Sequence, residues 1–297
     1  MIRKIRVGGR GSALAVAQTR LVTDAIAAAH PELEIESVVL RTTGDVNMKP
    51  FAQTSDPAGI KGLFTLELEQ ALLSGEIDLA VHSLKDVPIN LDPRLPLVAF
   101  SRREDPRDAL VLPAGGAEIN GPIACSSARR RLQLVRLFPG RAVVPVRGNV
   151  QTRLRKLDEG QFGALVLAAS GLKRLGLEAR ITRFFSTLEM LPAAGQGILA
   201  CQGRADGDYG CLDAVRDRDA WDCALAERAF VAERGGGCGQ PIAAHATVQG
   251  DALTLTGLIL EESGAYCRET VSGPRQDAER LGRALAVRMG RLPPSPA

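Results

Sequence analysis

Aromatic side chains are scarce in this 297-residue chain, at 4% of its residues. A base-stacking platform for single-stranded nucleic acid has little to draw on. An excess of one charge is missing too. The 37 Lys and Arg stand against 34 Asp and Glu, for a formal net charge of +3. That balance argues against a nucleic-acid partner, and any basic site must come from local placement. No apolar run is long enough to span a bilayer, so no membrane partner is expected. No Cys-x-x-Cys pair occurs, and no histidine lies at zinc-ligand spacing beside a cysteine, which leaves no metal site in prospect. An export signal is absent as well. Met1-Ile2-Arg3-Lys4 leads directly into strand-like sequence, and a cytoplasmic protein with reduced thiols is expected.

What is present is arginine, used far more than lysine and suited to bidentate capture of carboxylates. Its placement follows a pattern. Ile2–Val7 reads as a strand, Gly8-Gly9-Arg10-Gly11-Ser12 as a tight turn, and Ala13–Ala29 as a helix stopped by Pro31. A strand, a glycine loop and a helix start offer an anion exposed amides and the positive end of a helix dipole. Arg10 and Ser12 add side-chain donors, although a plain turn explains this piece equally well.

The same junction recurs. Ile123-Ala124-Cys125 leads into Ser126-Ser127-Ala128-Arg129-Arg130-Arg131 and a helix, with Ser126 or Ser127 as its N-cap. Arginine in a first turn opposes the helix dipole, and a bound anion is one way to compensate. Val143–Val146 leads into Arg147-Gly148-Asn149 and a helix bearing Arg153, Arg155 and Lys156. Ala164–Ala168 is a buried strand followed by Ser170 to Arg174. A basic junction taken singly is a solvated face. Several at the same strand-to-helix edge argue for a shared anionic cleft.

Between these lie three stretches of other character. Residues 41–62 run without period, as a linker or a lid does, and Lys61-Gly62-Leu63-Phe64 opens a helix ending at Ser74. Ile77–Val81 is a short strand ending in His82-Ser83-Leu84-Lys85-Asp86-Val87-Pro88. This puts Ser83, Lys85 and Asp86 at a strand's C-terminal end, where open α/β sheets bind ligands. Strand alternation sets Ser83 and Lys85 on one side and Asp86 on the other. A solvated Lys85–Asp86 pair is the plainer outcome, and His82 reads as a hydrogen-bonded packing residue. Leu191 to Gly197, with Gln196, reads as a hinge returning into a strand at Ile198–Cys201.

The last part of the chain is a helix over Ala220–Arg234, a glycine-rich loop, a hairpin around Gln249-Gly250-Asp251, a third strand over Tyr266–Val271 and a closing amphipathic helix. The loop, Arg234-Gly235-Gly236-Gly237-Cys238-Gly239-Gln240-Pro241, sets one thiol among four glycines and a proline. A helix C-cap and turn account for it. A thiol with room around it for something bulky, tethered there, accounts for it as well. On the residues alone, a non-catalytic bilobed small-carboxylate binder remains the alternative.

In combination the motifs are specific. Lys61 to Phe64, Val81 to Pro88, Arg103 to Asp108, Ser126 to Arg130, Arg147 to Val150, Gly195-Gln196-Gly197 and Gly236-Gly237-Cys238 fall in one order. In that order the chain resembles the porphobilinogen deaminases, from about Ile2 to the last helix. The resemblance implies an enzyme that condenses four porphobilinogen units head to tail, losing ammonia each time, and then releases hydroxymethylbilane by hydrolysis. It implies a dipyrromethane cofactor held through a thioether to Cys238. It implies Asp86 as the catalytic carboxylate. Ser83, Lys85, Ser126, Ser127, Arg129, Arg130, Arg147 and Gly148 are expected around the cofactor. Arg10, Ser12, Arg147, Arg153, Arg174 and Gln196 are expected around the substrate. The implied fold is α/β: two bilobed periplasmic-binding-protein-like domains plus a small α+β C-terminal domain, in a monomer. The expected boundaries are 1–100 with 197–216, then 101–196, then 217–297. Two positions depart from the family pattern: Gly9 and Cys125 stand where threonine is common.

Overall fold

The computed structural model describes residues 4–40, 65–116, 118–236, 241–261 and 264–290. Residues 41–62, expected to be a linker or a lid, the helix opening at Lys61 to Phe64, and the loop residues 237–240 with Cys238 lie outside the described residues. The chain divides into two compact units, residues 1–103 with 198–221 and residues 104–197 with 222–297.

The first unit is built on a five-stranded mixed sheet. Its strands are β1 (Lys4–Arg10), β2 (Glu34–Leu40), β3 (Leu79–Ser83), β4 (Leu97–Phe100) and β10 (Leu199–Gln202), in the order β2-β1-β3-β10-β4. β1 runs parallel to β2 and β3, and β10 is antiparallel to β3 and β4. Helix α1 (Ala13–Ala29) turns a stripe of Gln18, Thr19, Val22, Thr23 and Ile26 inward, the i, i+4 spacing of one helix face. Val22 and Ile26 join Ile5, Val7, Leu79 and Leu199 in the core. Helix α2 (Leu66–Ser74) seals the other cluster with Leu68, Ala71 and Leu72 around Ile77 and Leu95.

One expectation needs correcting here. Gly8 and Gly9 are not in a turn; β1 continues through Arg10, and only Gly11 and Ser12 leave it. The glycines serve close packing instead. A Cβ on Gly9 would meet the Thr19 hydroxyl at 2.0 Å, so α1 lies on β1 at a depth that only glycine allows.

The second unit carries two sheets. The α/β sheet has β5 (Asp108–Val111), β6 (Ile123–Cys125), β7 (Val143–Pro145), β8 (Ala164–Ala168) and β9 (Arg183–Phe184), in the order β7-β6-β8-β5-β9. β6 is parallel to β7 and β8, and β5 is antiparallel to β8 and β9. Every residue of β8, Ala-Leu-Val-Leu-Ala, is buried, as a central strand covered on both faces requires. Helices α3 (Ala128–Leu137), α4 (Val150–Asp158) and α5 (Ala169–Arg174) follow β6, β7 and β8 in turn. Both α/β sheets thus repeat one plan in spatial order, three mutually parallel strands, then a strand antiparallel to them, then an edge strand antiparallel to that one.

The second unit's other sheet is an antiparallel meander, β11 (Ile242–Gln249), β12 (Ala252–Leu260) and β13 (Tyr266–Pro274), in sequence order. Two helices accompany it, α6 (Arg218–Glu233), most of which belongs to this unit, and α7 (Ala278–Met289). Leu253, Leu255, Phe230 and Leu285 are buried there. The architecture is the expected one, two mixed α/β sheets and a small antiparallel sheet with a helix.

Candidate active site

In each α/β sheet the chain leaves one strand to one side and returns on the other, which opens a crevice at the strand ends. In the first unit that point lies between β1 and β3: Arg10 ends β1, Ser12 caps the helix after it, and Ser83 ends β3. Ser12 caps α1, its side chain accepting from the Ala15 amide at 3.3 Å. Gln18, buried one turn on, donates Nε2 to the Ser83 hydroxyl at 2.8 Å. Sequence reasoning passed over Gln18. The signal for it is a Gln-Thr pair inside an otherwise apolar helix face.

Beyond Ser83 the strand alternation expected for Ser83, Lys85 and Asp86 gives way to a single 3-10 turn over Leu84–Asp86. Leu84 and Val87 are buried at 1% and 3% exposure and pin that turn from both ends. The Leu84 amide donates to the Ile198 carbonyl at 3.0 Å and the Val87 amide to the Leu84 carbonyl at 3.1 Å. Lys85 is half-buried and Asp86 is exposed. A carboxylate is thus held outward on a rigid corner.

His82 behaves as a packing residue. Burial pushes its imidazole down from 6.5 to about 4. Its Nε2 meets Gln202 Oε1 at 3.0 Å, while Gln202 Nε2 donates to the Leu95 carbonyl at 3.0 Å. The amide's orientation makes its oxygen the acceptor and fixes the neutral Nε2–H tautomer.

In the second unit the crevice lies between β6 and β8, with β7 beside β6. Cys125 and Pro145 are register partners, so α3 and α4 start side by side. Ser127 caps α3, and Asn149 caps α4 by accepting the Thr152 amide at 2.9 Å. Ser126 Oγ donates to the Val146 carbonyl at 2.5 Å and ties the two junctions together. Arg153 Nε donates to the Gly148 carbonyl at 2.7 Å, and Lys156 Nζ to the Arg147 carbonyl at 3.3 Å. Burial lowers the pKa of the Arg147 guanidinium. Arg174, at the end of α5, donates to the Gly197 carbonyl at 2.6 Å, and burial lowers its guanidinium to about 10.

Arg129 and Arg130 point into the protein. They are 3% and 6% exposed and flank Asp108, which is fully buried. Arg129 Nη1 donates to Asp108 Oδ2 at 2.8 Å and to the Leu191 carbonyl at 2.7 Å. Arg130 donates from Nε and Nη2 to Asp108 Oδ1 at 3.0 and 2.8 Å. The anion that offsets two arginines in a helix's first turn is therefore supplied from within. Burial alone would raise the Asp108 carboxyl, but the two guanidiniums hold it well below the usual carboxylate range. Gln196 is also fully buried. It donates to the Pro106 carbonyl at 2.6 Å and to Asp108 at 2.9 Å.

The helix starts sort by charge. Among the described helices, α1, α3, α4 and α5 carry no acidic residue in the first turn. Helices α2, α6 and α7, which do not open at the switch points, carry Glu67, Glu69, Asp219 and Glu279 there. Among the described α-helices, acid that would repel an anion is missing only from those that start at the crevices, where Asp86 on its 3-10 turn stands apart.

Two family models match in tandem. Porphobilinogen deaminase, dipyromethane cofactor binding domain, covers residues 5–209, and Porphobilinogen deaminase, C-terminal domain, covers residues 221–290. The chain belongs to the porphobilinogen deaminase family. The porphobilinogen deaminase of Acetivibrio thermocellus is 51% identical over 288 residues, spanning 96% of this chain and 98% of that one. That of Alkaliphilus oremlandii is 49% identical over 288 residues, 96% of each chain. That of Chromobacterium violaceum is 45% identical over 298 residues, 96% of this chain and 94% of that one. The chain is thus an enzyme of tetrapyrrole biosynthesis with a dipyrromethane cofactor-binding domain.

The donor set suits that cofactor. A dipyrromethane bears carboxylates, and the acid-free helix starts, capping hydroxyls and guanidiniums at both switch points are what carboxylates need. Among the described residues no group of three His, Cys, Asp or Glu is placed to hold a metal. No helix among them is long and apolar enough to cross a membrane.

Proposed function

We propose that the chain condenses four porphobilinogen molecules head to tail, releasing ammonia at each step and hydroxymethylbilane at the end. Asp86 is its catalytic carboxylate and Cys238 the attachment point of its cofactor. The bound dipyrromethane supplies the pyrrole carbon to which the first unit adds. In each round the substrate's aminomethyl C–N bond breaks, the nitrogen leaves as ammonia, the substrate's electron-poor methylene carbon bonds the free α-carbon of the chain's terminal pyrrole, and that carbon gives up its proton. Positive charge develops on the substrate ring as the amine departs. Asp86 stabilises that charge and accepts from the ring N–H. The observation that carries this is the exposed Asp86 on a turn pinned by Leu84 and Val87, directly after Ser83 at the switch point.

The remaining residues bind and orient. Arg10, Ser12, Ser83 and Lys85 of the first unit hold acetate and propionate groups. Ser126, Ser127, Arg129, Arg130, Arg147, Gly148, Arg153, Arg174 and Gln196 of the second do the same. Each added pyrrole brings two carboxylates, so the product grows more anionic as it lengthens, and guanidinium donors neutralise it through charge-assisted bonds. We place the enzyme in the cytoplasm as a monomer of three domains, with boundaries at residues 1–100 with 197–216, 101–196 and 217–297.

Intact mass of the purified protein tests the cofactor assignment. Wild type is expected to carry a dipyrromethane adduct that Cys238→Ser lacks. Fully active protein of unmodified mass would end the assignment.

A further inference from the structure

Glu227 lies in the buried stripe of α6, where Ala220, Cys223, Ala224, Phe230 and Val231 are its neighbours at helical spacing. It is 0% exposed. An ionised carboxylate there loses its hydration, and an apolar side chain of similar volume would fill the space at lower cost. Among its partners the carboxylate has two short bonds from backbone donors. Oε2 accepts the Gly195 amide at 2.6 Å, and Oε1 accepts the Ala246 amide of β11 at 2.7 Å. His245 Nδ1 lies 3.7 Å from Oε1.

Gly195 is the tightest point of a turn. Its φ of +72° is open to glycine, and the Gln196 amide closes the turn onto the Ala193 carbonyl at 3.0 Å. Gln196 then reaches Asp108, and Asp108 holds Arg129 and Arg130, through the bonds given above. These groups lie within one unit, so the α6 carboxylate is connected to the two guanidiniums by hydrogen bonds on either side of the Gly195–Gln196 peptide.

We infer that Glu227 is a positioning residue for the anion-binding arginines. By pinning the 193–196 turn it sets Gln196 against Asp108, and Asp108 then fixes the direction of both guanidiniums. The inference rests on the reading that Arg129 and Arg130 serve the carboxylates of cofactor and substrate. It adds a reason for a buried acid in a helix far along the chain from either arginine, and a reason for the Gly195-Gln196 pair.

The test is a double-mutant cycle on the full-length holoenzyme with Glu227→Gln and Gln196→Leu, and Arg129→Lys alongside. Glu227→Gln keeps the shape but turns an amide N–H toward a backbone donor. Three readouts are taken: KM and kcat for porphobilinogen, the fraction of protein carrying the adduct by intact mass, and Tm. Each single variant is expected to raise KM by about tenfold with a smaller change in kcat, and to lower the adduct fraction. The double variant is expected to do no worse than the poorer single one, because both cut the same run. A role in packing alone would lower Tm, leave KM and adduct fraction at wild-type values below the melting range, and overturn the inference. So would additive effects on KM. If Glu227→Gln does not fold, Glu227→Asp, which keeps the charge but shortens its reach to the Gly195 amide, carries the same expectation. If Arg129→Lys raises KM while the other two do not, the relay fails and the arginine reading stands. If Arg129→Lys leaves KM and loading unchanged, the arginine reading fails and the relay falls with it.

Discussion

The Gln18 amide donates to the Ser83 hydroxyl across 2.8 Å and ties helix α1 to the end of strand β3. The bond joins residues 65 positions apart, at the switch point that precedes Asp86. Gln18→Leu leaves the Ser83 hydroxyl without this donor and loosens the corner. The expected cost is about 1–2 kcal/mol in urea unfolding, with a rise in KM for porphobilinogen. Unchanged KM in a destabilised variant would separate the bond from the site.

Gly9 and Thr19 make a second contact between the same two elements. A methyl group at Gly9 would overlap the Thr19 hydroxyl, so Gly9→Ala pushes α1 off the sheet. A loss of about 1–3 kcal/mol is expected, the usual range for overpacking. Adding Thr19→Ala should restore most of it, and a double variant as unstable as Gly9→Ala would place the strain elsewhere. Thermal or urea unfolding of the four proteins decides.

Asp108 is the only acid hydrogen-bonded to Arg129 and Arg130 among the described residues. Asp108→Asn leaves two buried guanidiniums uncompensated, and a loss of about 3–5 kcal/mol is expected. The pH dependence follows in sign. The folded-state pKa is depressed, so the stabilisation is complete above the unfolded carboxylate value of about 3.9 and is lost as pH falls below it. Urea unfolding between pH 5 and pH 3 should therefore fall more steeply for wild type than for Asp108→Asn.

His82 sets a different window. Its folded-state pKa lies at about 4, below the ordinary 6.5, because burial disfavours the charged ring. The unfolded chain takes up this proton first as pH falls, so stability from a neutral His82 is complete above 6.5 and is lost toward 4. Between pH 7 and pH 5 the loss is about 2 kcal/mol. His82→Gln, which keeps a donor for Gln202, is expected to flatten that slope in urea unfolding. An unchanged slope would assign it to another group.

The junctions were legible in the sequence because each is local. Strand, glycine or serine, then helix is written within a dozen residues, and caps Ser12, Ser127 and Asn149 sit where such residues must. The partners were not legible. Asp108 meets Arg130 across 22 positions, Gln196 meets Asp108 across 88, and Glu227 meets Gly195 across 32, and no periodicity encodes such pairings. The arginine pair in the first turn of α3 reads from sequence as an invitation to a ligand. The structure adds a buried acid, Asp108, that holds both guanidiniums in place. The turn at Leu84–Asp86 was missed for a related reason: Pro88 announced that the strand ends, but only the burial of Leu84 and Val87 shows how.

Asp86 remains the residue on which the proposed chemistry turns, and Asp86→Asn tests it most directly. The substitution keeps shape and hydrogen bonding and removes the charge. Its turnover is to be measured on protein whose intact mass shows the dipyrromethane adduct, so that loss of cofactor does not enter. The account predicts a fall in kcat of about 30-fold to 900-fold, the effect of removing about 2–4 kcal/mol of transition-state stabilisation. Turnover within about twofold of wild type would contradict it, since the removal of a charge that stabilises the departing ammonia's carbon must register far above that level.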